Sequence, residues 1–292
     1  MGKALIFSGV QVQAPLQTVT FVKTLVTASD YVNEYAKLAT NVTSGQKEHL
    51  VNFVQTLMSK GLWDKVKSCF PMLGGIEGYN KDLKDFVNLQ NWQTPSNGTT
   101  WDETRNAPYL NLPGQAVGTP LSFTIDCKSC AFFFSTKFAR QLQSRAITQK
   151  GYGTTPDSFV DVLKTGDFSY PEWGTTKGNS NFSDYKNTKN ANNMYLLNCV
   201  SGENKLYACS NKSNIEYVNK GTTDTSKTTS EVSIALGSYF SAGSEAPANY
   251  TLNGCINMFI CFKEHLTDDE IQTVSKAVWD FDEACGRHTD FE

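Results

Sequence analysis

The stretch Gly254–Phe281, GCINMFICFKEHLTDDEIQTVSKAVWDF, decides the fold. Its first part alternates as a strand does. Ile256, Met258, Ile260 and Phe262 fall on one face, and Cys255, Asn257, Phe259 and Cys261 on the other. Both sets are largely apolar, so the strand is expected to be covered on both sides. Lys263-Glu264-His265 breaks the run. Thr267 and Glu270 then stand at capping-box spacing: the hydroxyl accepts from the Glu270 N–H, and the carboxylate accepts from the Thr267 N–H. Leu266 and Ile271 occupy the staple positions, and Asp268, Asp269 and Glu270 put negative charge at the positive end of the helix dipole. Ile271, Val274, Val278 and Phe281 form one helical stripe, with Gly286 as the expected stop. A buried strand therefore runs into a well-capped helix that packs on the same core.

The chain has 292 residues, enough for one large sandwich with additions or for two small domains. Charged residues are 19% and the net charge is −3, which leaves no basic stripe for nucleic acid. Aromatic residues at 12%, with abundant Ser, Thr, Asn and Gly, suit an all-β protein with many turns. No apolar run approaches the ~20 residues of a membrane helix. The N-terminus lacks the layout of a secretory signal. These features predict folding in a cytoplasm, with the eight cysteines mostly free thiols. Asn-x-Ser/Thr triplets such as Asn97-Gly98-Thr99 then carry no meaning.

Lys3 to Leu25 reads as short extended pieces, either an arm that adds a strand to a neighbouring subunit or an edge strand of the home sheet. Two helices follow. Ser29 or Asp30 is expected to cap Tyr31 to Ala39, and Ser44 to cap Gln46 to Lys60, with Leu50, Val54, Leu57 and Met58 on one face and Gly61 at the end. Leu121 to Asp126 and Cys130 to Phe134 are expected to pair. Further alternation marks Tyr195–Val200, Leu206–Cys209, Glu216–Val218 and Val232–Leu236. Tyr170 to Asn193 is expected to be a long exposed loop, and Lys220 to Ser230 a hairpin tip.

Two resemblances add to this reading. The order Ile234–Gly237 (IALG), a polar loop, Asn249-Tyr250, GCINMFICF and LTDDEIQTV resembles the end of a concanavalin A-like (laminin G-like) jelly-roll domain. The block from His49 to Gly75, HLVNFVQTLMSKGLWDKVKSCFPMLGG, resembles a segment of tailed-bacteriophage virion proteins, with the crAss-like gut phages the nearest in character. There a helix, a GLWDK-type phrase, a strand and a Gly-Gly pair lead into such a domain. Leu83–Leu89 (LKDFVNL) stands where those proteins carry an N-L-K-D phrase, here altered. Together the matches cover most of residues 44–281, with gaps.

The chemistry is then weighed against the fold. Sugar hydrolases on such sandwiches carry carboxylates at alternate strand positions, Glu-x-Asp-x-(x)-Glu. No such run exists here: Asp102 and Glu103 are adjacent and would face opposite sides of a strand. Cys127-Lys128-Ser129-Cys130 has the spacing of half a zinc site, but a second pair is missing and His49, His265 and His288 are scattered. Buried thiols at a turn explain the pair better, so neither metal nor cofactor is expected. No Gly-x-Ser-x-Gly elbow occurs. Trp92, Trp101 and Trp173 lie in polar, turn-rich surroundings; they are placed either to stack on a sugar ring or to fill crevices under loops.

The expected architecture is a mainly β protein, an antiparallel jelly-roll β-sandwich of concanavalin A-like type. Residues 1–62 form an N-terminal arm and helical attachment segment, 63–292 the sandwich, and a helix closes the chain. The resemblance implies a non-enzymatic structural component of a bacteriophage virion, made in the host cytoplasm. It would partner other virion proteins and copies of itself. The alternative is a carbohydrate- or receptor-binding module for a host surface glycan; a polysaccharide hydrolase is the least favoured reading. No nucleic acid and no membrane partner is expected.

Overall fold

The computed structural model describes residues 26–39, 41–75, 83–87, 91–92, 100–112, 115, 118–125, 129–138, 147–149, 160–162, 172–173, 190–200, 203–222, 230–237 and 253–292, with the backbone alone for several strands. Helices α1 (Ala28–Leu38) and α2 (Ser44–Ser59) come first, and a 3-10 turn (Trp63–Lys65) leads into β1 (Val66–Phe70). Short strands follow: β2 (Leu83–Lys84), β3 (Asn91–Trp92), β4 (Thr100–Asp102) and β5 (Ala107–Leu110). The longer β6 (Gly118–Ile125) and β7 (Ser129–Phe138) precede β8 (Ile147–Gln149), β9 (Val160–Val162) and β10 (Glu172–Trp173). Then come β11 (Asn192–Val200), β12 (Glu203–Ser210), β13 (Glu216–Thr222), β14 (Ser230–Leu236), β15 (Gly254–Phe262) and helix α3 (Asp268–Ala284).

The fold is a mainly antiparallel, sandwich-like β structure with a helical layer. One sheet has eight strands in the order β13-β12-β11-β7-β15-β5-β4, with β1 also on β15; a second has five, β10-β9-β8-β14-β6; β2 and β3 form a ribbon. Two expectations of pairing are corrected by this topology. β6 pairs with β14 and β7 with β11 and β15, so the neighbours in sequence separate into different sheets. Likewise β13 pairs with β12 and β14 with β6 and β8, so β13 and β14 belong to different sheets and are not the two arms of a hairpin.

The three α-helices among the described residues all start on a capping box, at Thr27 with Asp30, Thr43 with Gln46, and Thr267 with Glu270. The first two caps lie upstream of the serines expected to serve. In each box a threonine hydroxyl accepts from the N3 N–H and the N3 side chain accepts from the cap N–H, together worth ~1 kcal/mol or more. Gly61 ends α2 at φ 67°, and Gly286 follows α3 at φ 75°. Past α3, the Arg287 N–H reaches the Asp282 carbonyl and the Gly286 N–H reaches that of Glu283, a Schellman closure that needs the left-handed glycine.

The helices cover one face of the large sheet. Phe133, Met194, Leu196, Met258, Ile260 and Phe262 share one buried cluster with Val32 and Tyr35 of α1, Leu50, Val54 and Leu57 of α2, and Ile271, Val274 and Val278 of α3. Phe86 sits at its edge, with its ring 5.0 Å from Tyr35, 5.5 Å from Trp63 and 6.5 Å from Tyr31. The other face is buried too, with Phe132 stacked on Phe259 and Phe134 on Tyr195. Each such side chain contributes about 1.5–3 kcal/mol by leaving water. The apolar faces of α1 and α2 are thus filled by their own sheet. Of the expected attachment segment, residues before Val26 lie outside the described residues, as does Tyr170–Asn193 apart from residues 172–173 and 190–193.

One irregularity overturns the simple alternation of β15. Ile256 faces Thr136 and Met258 faces Ser135, so Asn257 is an extra residue, a β-bulge. Ile256 therefore turns to the face opposite Met258, and Cys255 turns to the helix side. The bulge aims the Asn257 carbonyl at Arg287, which is fully buried. All five guanidinium N–H donors find acceptors. Nε donates to Asn106 O (3.1 Å). Nη1 donates to Asn257 O (2.7 Å) and Asp282 Oδ1 (3.1 Å). Nη2 donates to Pro71 O (3.0 Å) and Met72 O (2.7 Å). Asp282, also buried, accepts from Ser135 Oγ at 2.7 Å through its second oxygen.

Two further cations hold the residues beyond Arg287. Lys137, fully buried on β7, donates to His288 O and to Asp290 Oδ1 at 2.6 Å, and this bond holds the Asp290 carboxyl below its usual range. Arg105 donates to the Thr289 and Asp290 carbonyls and lies 3.6 Å over the Phe291 ring. Near β1, buried Asp85 accepts from Ser68 Oγ (2.8 Å) and from the N–H groups of Cys69 (3.0 Å) and Val87 (2.9 Å), which gives the LKD phrase a structural task.

Candidate functional site

Strand β12 carries Glu203, Lys205 and Tyr207 at alternate positions, so all three share a face. On β13, Tyr217 stands directly opposite Tyr207, and the register slips by one residue beside that pair, leaving Val218 extra. The two rings meet edge to face, with centroids 5.7 Å apart. Helix α3 begins just above: the Tyr207 hydroxyl donates to Asp268 Oδ1 at 2.8 Å. Burial first, and then this bond to a carboxylate, push the Tyr207 phenol well above its ordinary value, so it stays protonated. Lys205 Nζ lies 4.0 Å from Glu203 Oε2, an ion pair too long for a hydrogen bond.

These five side chains line a shallow depression of about 470 Å³. Tyr207 is buried in its floor, whereas Tyr217 is 51% exposed. Among the described residues, the site presents a half-open aromatic ring beside two carboxylates and one ammonium. That set suits a ligand with an apolar ring face and many hydroxyls.

The structure separates the three tryptophans singled out in the sequence. Trp92 lies on β3, Trp101 on β4 and Trp173 on β10, in three different sheets. Trp101 is only 7% exposed, so its ring presents no open face for stacking; the side chains of Trp92 and Trp173 lie outside the described residues. No local sequence pattern marks the depression as a site. Asp268 is fully accounted for by helix capping in a sequence reading. The one usable signal is Glu203-x-Lys205-x-Tyr207, which puts charge and an aromatic on one face of a strand.

The seven described cysteines are free and buried; burial pushes the Cys209 thiol up to about 12 and that of Cys285 to about 11, which makes them poor nucleophiles. Cys130 is buried in β7 and Cys127 lies outside the described residues. Among the described residues, no group of three or more His, Cys, Asp or Glu is placed to hold a metal ion, and no helix is long and apolar enough to cross a membrane. Ser129 Oγ lies 2.9 Å from His265 Nδ1 and also accepts from the His265 N–H, which fixes the turn before α3.

The class these features define is a jelly-roll-type β-sandwich with a small polar–aromatic surface site. No protein-family model and no curated protein sequence matches the chain. Solved structures do resemble it. A Trypanosoma rangeli sialidase in complex with 2,3-difluorosialic acid is 10% identical with a TM-score of 0.50, over 84% of this chain and 37% of that one. Domain 4 of AbnA, a GH43 extracellular arabinanase from Geobacillus stearothermophilus, in complex with arabinotriose, is 14% identical with a TM-score of 0.43, over 72% and 98%. The CBM40 of Ruminococcus gnavus IT-sialidase is 12% identical with a TM-score of 0.37, over 58% and 96%. At such identities the likeness concerns the fold alone.

Proposed function

We propose that this chain is a non-catalytic carbohydrate-binding module whose contact surface is the depression between β12, β13 and the start of α3. One observation carries the reading: Tyr217, half open to solvent, is braced edge-on by buried Tyr207 amid Glu203, Lys205 and Asp268. A single exposed aromatic is ordinary. An exposed aromatic held rigid within a charged depression is a typical device for gripping the C–H face of a sugar while polar groups take its hydroxyls. The test is a broad glycan array with the intact chain, followed by Tyr217→Ala. We expect saturable binding to at least one glycan, weakened about tenfold or more by the substitution, which corresponds to ~1.4 kcal/mol. The melting temperature should fall only slightly, because half of the ring is already exposed. A flat array, or full binding by the variant, sinks the proposal.

A second reading places the module on a phage particle. It is favoured by the segment from α2 to Gly75, where helix, Gly61, the Trp63–Lys65 turn, β1 and the left-handed Gly74-Gly75 pair follow in the order that underlies the resemblance. Since α1 and α2 are part of the core, residues 1–25 are the segment left to grip a neighbour. Light scattering should then find the full chain as a defined oligomer, and the chain lacking residues 1–25 as a folded monomer. Equal masses for the two would remove self-assembly from this reading.

A further inference from the structure

We propose that the cleft between β5, β7 and the start of β11 is a docking site for an extended segment of another protein that carries a carboxylate followed by an aromatic ring, and that the chain covers this site with its own residues 288–291. Those residues form a strap that belongs to no helix or strand. Among the described residues, no backbone–backbone hydrogen bond ties the strap to the sheet, so side chains hold it. Lys137 on β7 donates to the His288 carbonyl at 3.3 Å and to Asp290 Oδ1 at 2.6 Å. Arg105, in the turn before β5, donates to the carbonyls of Thr289 and Asp290, and its guanidinium lies 3.6 Å over the Phe291 ring. Tyr109 on β5 meets the same ring at 5.5 Å, and Asn190 Nδ2 donates to the Phe291 carbonyl at 3.2 Å. Each contact reads a feature that any peptide of the same pattern shares: a carboxylate, successive carbonyls, a ring.

The receiving side is buried and the strap's own anion is not. The Lys137 side chain is 0% exposed and Arg105 is 6% exposed, so both need acceptors over them whatever supplies these. The Asp290 side chain, by contrast, is 71% exposed. Water is thus ready to solvate the strap's carboxylate when it leaves, whereas Lys137 needs a replacement. Asn192, the cross-strand partner of Lys137 on the same face, is 8% exposed, and its buried Oδ1 has no hydrogen-bond partner. The strap leaves that acceptor unused, and a peptide with one more N–H supplies its donor. A second copy of the chain is the poorer occupant. Its residues 288–291 follow directly on the pinned Arg287 and reach only about 13 Å when extended.

The test uses the full chain, titration calorimetry and a synthetic peptide of residues 287–292 (RHTDFE), acetylated and amidated. In the parent the strap competes at the roughly millimolar effective concentration of a short tether, so the peptide should bind weakly. Asp290→Ala removes the strap's carboxylate at a position exposed enough to spare the fold, which circular dichroism checks. That variant should bind the peptide at least about tenfold more tightly than the parent does. The peptide with Asn in place of its aspartate, or Ala in place of its phenylalanine, should bind the variant at least about tenfold more weakly. Phe291→Ala loosens the strap independently and should strengthen peptide binding in the same direction. If the peptide binds neither variant more tightly than the parent, the proposal falls. Binding indifferent to the peptide's aspartate and phenylalanine overturns the recognition assigned to Lys137 and Arg105. If light scattering finds the parent at twice the mass of one chain and Asp290→Ala at the single mass, the occupant is a second copy and the foreign partner is overturned.

Discussion

Replacement of Arg287 by Met should lower the melting temperature by on the order of 10 °C, since a loss of about 3–5 kcal/mol is typical when one partner of a buried ion pair is removed. The substitution strips the acceptors Pro71 O, Met72 O, Asn106 O and Asn257 O of their donor and leaves Asp282 charged in the interior. Each stranded carbonyl adds a desolvation cost of its own. Those four carbonyls come from three places: the end of β1, the turn before β5 and the bulge of β15 are all tied to the residue that closes α3. Arg287→Lys keeps the charge but lacks the planar fork, so it should fall between the parent and Met. Pairing Arg287→Met with Asp282→Leu should recover part of the loss, because the uncompensated charge goes with it. Urea and thermal melts read this directly. A shift of Arg287→Met within about 2 °C of the parent would show that the network does not hold these elements.

The second large effect is expected at Phe86. Its fully buried ring is the common neighbour of Tyr31, Tyr35 and Trp63. Phe86→Ala should cost about 3–5 kcal/mol through lost burial and the cavity left behind. The damage should also be local. Helix α1 is attached through few elements, so it should open before the sheet does. Limited proteolysis is therefore expected to cut within residues 28–38 of the variant under conditions that leave residues 254–284 intact. If α1 stays as protected as in the parent, Phe86 is not its anchor.

Local signals carried the sequence reading, and distant ones did not. The Thr267–Glu270 box, the stripe of α3, the Gly286 stop and the nine-residue buried strand before them depend on neighbours a few positions away, and each is where the spacing put it. The bulge at Asn257 could not be read that way. The carbonyl of the extra residue is bound by Arg287, thirty residues on in the chain. The caps of α1 and α2 lie earlier than expected, at Thr27 and Thr43, each close to other residues that can cap a helix. Strands β6 and β7, expected to pair, belong to different sheets, and no local signal in either marks its distant partner. The surface depression was missed because its members come from β12, β13 and α3, and each has an ordinary local explanation.

The position of β15 also fixes when this protein can fold. It is flanked by β7 on one side and by β1 and β5 on the other, so it fills the middle of the large sheet. During synthesis, at about 5–20 residues per second, residues 28–236 leave the ribosome before this strand exists outside it. Through that interval β1 and β7 lack their shared partner, and the helices have only part of the surface they will cover. Folding of the large sheet is thus a late event, with α3 and Arg287 arriving directly after the missing strand to close it. The nascent chain should depend on holding factors until residue 287 has emerged, and stalled products that stop short of Gly254 should be far more prone to aggregate than the finished protein.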